Sequence, residues 1–374
     1  MHLSMLRPLA ERPGPWASVL IDASRESENA TKAIELRWRA ARAELAEQGA
    51  DTPTLAALEN TVLNHEPVPG QYWLAAFASH GEVALSVPIL ASPIDHLARF
   101  SLLPHAMPMV SGYGEQVAWL RIVVNRVGAD FEGATVGGVP RRGQFAAHNL
   151  YPLHRAKVGG WSYSHHWRAT QMTWQRNAKE IAEAVAQMAS DMAAEALIIA
   201  GEPQSRRLLI GQLPEWWQKR YIETDAGARA PGADPDHLDD VTLQAVAELA
   251  ARHVNEVIDA FQTQRGRDAA AGVGLAATVS ALQRSQIDTV LLVNDLSSTA
   301  KLWVGENPNE IALTADELRA MGTGNPQQVR ADAALLRALA ATDADLVLVS
   351  PDEVDLDGGV GALLRYADAS TRRQ

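Results

Sequence analysis

Leu153-His154-Arg155-Ala156-Lys157-Val158-Gly159-Gly160-Trp161-Ser162 stands at the entrance to a long helical pattern with few breakers, from about Ser164 to Ala194. That pattern ends on the apolar run Ala196–Ala200, which reads as a buried strand. Upstream, Val117–Val124 predicts a strongly apolar strand, Val127-Gly128 a turn, and Ala129–Ala134 a second strand. Two strands, a polar basic loop, a long helix and a buried strand make an α/β unit, which Leu208–Leu213 and the turn Pro214-Glu215-Trp216-Trp217 close.

Working toward the N-terminus, Ala17-Ser18-Val19-Leu20-Ile21-Asp22 predicts a short alternating strand, and a helix is expected from about Glu26 to Gln48. A second helix near Thr54–Leu63 leads through Pro67, Pro69 and Gly70 into two strands, Tyr72–Ala78 and Glu82–Val87. Toward the C-terminus, the composition between Glu223 and Asp240 shifts to Asp, Gly, Ala and Pro, which predicts a linker. Beyond it come a long helix from Leu238 to about Gln264, a helix over Leu275–Gln283, a strand over Thr289–Val293, a helix over Ala331–Ala341 and a strand over Asp345–Ser350. The fold class expected is α/β, in three domains: residues 1–114, 115–228 and 235–374.

A chain of 374 residues, 47% of them apolar and 21% charged, has enough apolar surface for well-formed cores. It contains no cysteine, which excludes disulfides, thiol catalysis and thiolate metal sites and fits a reducing cytoplasm. No export signal or run approaching a membrane span is present, so neither a membrane partner nor export is expected. The formal charge of −12 is unevenly spread. Between Glu132 and Glu180 there is no carboxylate, while Arg141, Arg142, Arg155, Lys157, Arg168, Arg176 and Lys179 give that stretch +7. From Glu180 onward, 16 Lys and Arg face 30 Asp and Glu. One basic middle piece and one acidic second half imply different partners.

Within the basic piece, cations interleave with the aromatic faces of Tyr151, Trp161, Tyr163, Trp167 and Trp174, and with His154, His165 and His166, around Gly159-Gly160. Phosphate-pairing charge plus stacking planes is the chemistry that binds irregular or single-stranded RNA. The candidate RNA-binding residues are Arg141, Arg142, Arg155, Lys157, Gly159, Gly160, Trp161, Tyr163, His165, His166 and Arg168. Trp167 and Trp174, seven residues apart, are instead expected to pack the long helix onto its sheet. Gly272-Val273-Gly274-Leu275-Ala276-Ala277 fits a dinucleotide fingerprint by letters, but a helix is expected where the fingerprint needs a strand. Asp352, Asp355 and Asp357 lack the spacing of a calcium loop, and adjacent His165-His166 lack the spacing of a helical zinc pair. No metal, cofactor or catalytic residue is expected.

The run from Leu153 to Ser162, its helix and the strand ending Leu197-Ile198-Ile199-Ala200-Gly201 together resemble the middle domain of archaeal and eukaryotic release factors and their relative Pelota. The ending Gly359-Val360-Gly361-Ala362-Leu363-Leu364-Arg365-Tyr366 looks like that of the mycobacterial branch of their bacterial homologues, which is similar to the Balon-like ribosome hibernation factors. The resemblance implies a three-domain arrangement, a ribosomal RNA partner at the A site and peptidyl-transferase region, and a translational GTPase such as elongation factor Tu bound by the C-terminal domain. Where release factors carry Gly-Gly-Gln, this chain has Gly159-Gly160-Trp161, and an indole offers a donor but no acceptor for placing water. Peptide release by the family mechanism is therefore not expected, which leaves a non-enzymatic hibernation factor. Arg142-Gly143-Gln144 imitates the tripeptide but lies far ahead of the helix. Two alternatives remain open: a ribosome-rescue peptidyl-tRNA hydrolase that uses Gln144 or another group, and a stress adaptor that binds only protein.

Overall fold

The computed structural model describes residues 1–27, 29–68, 70–90, 96–126, 128–136, 141–146, 161–226, 235–267 and 270–366, with backbone alone at 141, 146, 161–171, 235 and 236. The chain forms two compact units, one made of Met1–Glu115 with Val254–Gln374 and the other of Gln116–His253.

The N-terminal part of the first unit is an antiparallel sheet with strand order β3-β2-β1-β4. Its strands are β1 (Trp16–Asp22), β2 (Trp73–Ser79), β3 (Glu82–Ile89) and β4 (Leu97–Ser101). Four helices accompany it: α1 (Arg7–Ala10), α2 (Ala30–Glu47), α3 (Thr52–Asn64) and α4 (Met107–Tyr113). Alternate residues of a strand face opposite ways, so β1 serves two cores. Ala17, Val19 and Ile21 meet the α2 stripe Ile34, Trp38, Ala41 and Leu45 and the α3 residues Leu55, Leu58 and Val62. The Asp51 side chain caps α3, accepting from the Thr54 N–H at 2.9 Å. Trp16, Leu20 and Phe77 face the other way, into a core shared with Leu302, Leu335, Leu336 and Leu339 from the C-terminal part.

The second unit holds a five-stranded sheet of order β7-β6-β5-β8-β9. Its strands are β5 (Trp119–Val124), β6 (Gly128–Ala134), β7 (Arg141–Ala146), β8 (Ala196–Gly201) and β9 (Tyr221–Glu223). Strands β5, β6 and β7 pair antiparallel, whereas β8 runs parallel to β5 and β9, since the long α5 (Trp161–Asp191) carries the chain back before β8 begins. One face of the sheet packs Leu120, Ile122, Leu197 and Ile199 against Ile181, Val185 and Ala189 of α5. Leu209 of α6 (Pro203–Ile210) and Trp217 of α7 (Glu215–Gln218) complete that core. The opposite face places Ala196 and Ile198 against Ala245 of α8 (Pro235–Gly266).

The C-terminal part of the first unit has a sheet of order β10-β16-β11-β15, made of β10 (Ala271–Val273), β11 (Ile287–Val293), β15 (Asp345–Val349) and β16 (Val360–Leu364). A smaller antiparallel sheet joins β13 (Ile311–Ala312), β12 (Lys301–Val304) and β14 (Gln327–Arg330). Helices α9 (Gly274–Gln283), α10 (Ala315–Ala320) and α11 (Ala331–Thr342) surround them, and Ile258 and Phe261 of α8 pack on Leu291, Val347 and Val349. Gly361 of β16 is in close approach to that helix, because a Cβ there would lie 2.8 Å from the Phe261 ring.

The α/β class is as expected, and the long elements agree within a few residues. Two expectations need correction. The second long helix starts at Pro235, inside the expected linker, of which residues 227–234 lie outside the described set. A strand, β10, does precede Gly274, contrary to the reason given against a dinucleotide site; but β10 is three residues long, contains Gly272 itself and pairs antiparallel with β16 at the sheet edge. A dinucleotide crevice needs a parallel strand at a switch point, so the rejection stands on different ground. Among the described residues no helix is long and apolar enough to cross a membrane, and no group of three or more His, Cys, Asp or Glu could hold a metal ion.

Candidate nucleic-acid interface

Helix α5 carries several of the candidate residues. Residues that follow one another at three- and four-residue steps fall on one face of a helix. Asn177, Ala178, Ile181, Val185 and Ala189 are buried against the sheet, while Met172, Arg176 and Lys179 are exposed on the other side. Trp161, Tyr163, His165, His166, Trp167 and Arg168 all belong to the same helix. The side chains of residues 161–171 lie outside the described set, as do Arg155, Lys157, Gly159 and Gly160 entirely. Trp161 is the first residue of α5, so the Gly-Gly pair immediately precedes its first turn.

Trp174 was expected to press the helix onto the sheet. Its ring instead covers the β5–β6 turn: the Arg126 guanidinium carbon lies 4.6 Å from the indole centroid. Asn177 Nδ2 donates to the Arg126 carbonyl at 3.0 Å, and Arg126 also pairs with Glu202. The indole thus contributes to structure and covers a cation that is already partnered.

The remaining candidates sit on β7. Arg141 is opposite Gly133 in the ladder, and Arg142 is opposite Glu132. Arg142 Nε donates to Glu132 Oε1 at 2.9 Å, and that hydrogen bond raises the arginine pKa above its ordinary value. Its side chain is still 78% exposed, leaving an open guanidinium edge. Glu132 also pairs with Arg121, a buried cation whose Nη1 donates to Asp239 at 2.6 Å and to Thr242 Oγ1 at 3.0 Å. The carboxylate-free stretch of sequence is therefore bordered in space by Glu132, and the +7 is partly compensated across the β6–β7 ladder. Gln144, the glutamine of the imitating tripeptide, is a strand residue opposite Asp130.

Sequence reasoning took Trp216-Trp217 as a turn that closes the unit. The pair divides its labour: Trp217 is fully buried in the core, whereas Trp216 is 50% exposed and stacks on it with centroids 4.2 Å apart. An exposed indole backed by a buried one is a rigid stacking platform, and adjacency of two tryptophans beside Lys219 and Arg220 was the signal available for it.

Residues 118–267 match the model of the bacterial archaeo-eukaryotic release factor family 2. Over 372 residues the chain is 29% identical to an uncharacterized protein of Mycobacterium tuberculosis, covering 98% of this chain and 97% of that one, in each of two strains. Among solved structures, an archaeal translation termination factor aligns over 97% of this chain and 96% of its own at 12% identity and a TM-score of 0.27. Archaeoglobus fulgidus Pelota aligns over 97% and 91% at 12% identity and a TM-score of 0.33. The expected relation to archaeal and eukaryotic release factors, read from the residues around Gly159-Gly160, is met by the family match over the second unit and the start of the C-terminal part.

Proposed function

We propose that this chain is a ribosome-binding translation factor that occupies the A site and reaches the peptidyl-transferase region without releasing peptide, and so acts as a hibernation factor of the Balon-like kind. The observation that carries the reading is Gly159-Gly160-Trp161 at the first turn of α5, inside a segment that matches a release-factor family. Two glycines give the loop the backbone freedom to enter a crowded RNA site. In place of an amide that both donates and accepts, Trp161 supplies a stacking plane and a single donor. Binding and hydrolysis are thereby uncoupled.

Three further features support the reading. Helix α5 carries Trp161, His165, Arg168 and the exposed Arg176 and Lys179, a mixture of residue types suited to rRNA phosphates and bases. Gln144 is held in β7 opposite Asp130, which argues against its use as a mobile catalytic amide. The acidic second half suits a protein partner better than RNA, and elongation factor Tu or another translational GTPase docking on residues 235–374 is the partner proposed. The absence of cysteine fits a cytoplasmic place of work.

The experiment is release of labelled peptide from programmed ribosomes at saturating protein, run beside a binding measurement. Stoichiometric binding without release is expected, and Trp161→Ala should weaken binding by the scale of one lost base stack, about 1 to 3 kcal/mol. Multiple-turnover release would overturn the reading and return attention to a rescue hydrolase.

A further inference from the structure

The first unit contains a cleft of about 210 Å³ walled by β4, the loop after it, β12, β14 and the start of α11. Its polar lining is cationic: Arg99 from β4, Lys301 from β12 and Arg330 at the end of β14, with His105 and Gln328 between them. Lys301 and Arg330 come from the half of the chain where carboxylates outnumber cations nearly two to one, and Arg99 and His105 from the N-terminal part.

Strand register makes the charge arrangement more pointed. Lys301 and Arg330 are directly opposite each other in the β12–β14 ladder, a like-charge pairing that disfavours the sheet unless an anion compensates it. Asp332 meets only half of the need. Its carboxylate accepts from Arg330 Nη2 at 2.6 Å and Nε at 3.1 Å, and also from the Ala333 N–H at 2.7 Å. Among the described residues the ion pair at the cleft is Arg330 with Asp332, and neither Arg99 nor Lys301 forms one. The cleft therefore presents two uncompensated cations beside one neutralised pair.

A third group points the same way. His105 is anchored through its backbone N–H, which donates to Ser18 Oγ at 3.0 Å, and its ring Nδ1 is buried with no hydrogen-bond partner among the described residues. Burial holds the imidazole below its ordinary pKa, so the ring is neutral at pH 7 and presents either a donor or an acceptor according to tautomer. Beside these groups Leu103, Val329 and Ala333 form an apolar wall.

We propose that this cleft binds a small phosphate monoester, its dianionic phosphoryl group held by Arg99 and Lys301 and its organic body lying on Leu103, Val329 and Ala333. Two free positive charges match a dianion, and the apolar wall distinguishes an ester from inorganic phosphate. The site uses none of the α5 residues on which the ribosomal reading rests.

The test is calorimetric titration of the full chain at constant ionic strength with phenyl phosphate, inorganic phosphate and phenol. Saturable binding of phenyl phosphate with a Kd below about 1 mM is expected, with inorganic phosphate and phenol each weaker by about tenfold or more. Arg99→Gln and Lys301→Gln are exposed changes that remove the charge and keep a polar side chain, and thermal unfolding will show that both variants fold; each should weaken phenyl phosphate by about tenfold. Absence of saturable binding to the wild type, equal binding by the folded double variant, or inorganic phosphate binding as tightly as its phenyl ester would each overturn the proposal.

Discussion

Gly201 shows how a two-letter feature of the sequence becomes a physical requirement. Its φ of +109° lies where L-residues are strained, and a Cβ there would stand 2.1 Å from the Val124 carbonyl oxygen. Strand β8 can leave the sheet at Ala200-Gly201 only because no side chain intervenes. Gly201→Ala should destabilise the second unit by about 2 kcal/mol or more, from the strained backbone and the steric overlap together. Denaturant unfolding followed by tryptophan fluorescence checks this, and an unchanged midpoint would refute it. The glycine was visible in the sequence as part of a resemblance, but the close approach that demands it was not. The same holds for Arg142, visible as one of seven cations, whose partner Glu132 is defined by the β6–β7 register alone.

At the scale of elements, α5 was the most legible part of the chain because a buried stripe at helical spacing persists over many turns. The cations ahead of the helix and in its first turns lead to a quantitative expectation. Replacing Arg155, Lys157 and Arg168 together with Ala should lower ribosome affinity and reduce the magnitude of the log–log salt slope by about 2, at roughly 0.7 for each phosphate no longer neutralised. Filter binding across a salt series measures the slope; a slope equal to wild type would remove these cations from the interface. Strands β4, β7, β12, β13 and β14 escaped the sequence reading for a common reason. They lie in small sheets or at edges, and either carry polar residues, as Arg141-Arg142-Gly143-Gln144 and Gln327-Gln328 do, or are only two residues long, as Ile311-Ala312 is, so neither an apolar run nor a clean alternation marks them. The anion cleft inherits that invisibility, because Arg99, Lys301 and Arg330 come from three such strands.

Across the whole molecule, sheets follow the three expected segments while packing joins the first and third. The N-terminal sheet turns Trp16, Leu20 and Phe77 toward Leu302, Leu335 and Leu339, so its second face is closed by residues some 220 or more positions away. A chain ending at Asp234 should accordingly lose cooperative unfolding of the N-terminal segment and bind an apolar dye, since the shared core supplies much of its stability. Calorimetry with dye fluorescence tests this, and a cooperatively folded fragment 1–234 that binds no dye would show the segment to be self-sufficient. Mapping the protein partner is better done with surface substitutions in 235–374 than with that truncation. By itself the sequence determined the α/β class, the long helices and apolar strands and the uneven charge, because each is written in local composition and periodicity, and it placed Trp161 directly after the Gly159-Gly160 pair. Only the tertiary structure decided which carboxylates neutralise which arginines, which edge strands gather cations around the cleft, and that the first and last segments share one core. Those outcomes depend on strand register and on packing between distant residues, which chain order does not encode locally.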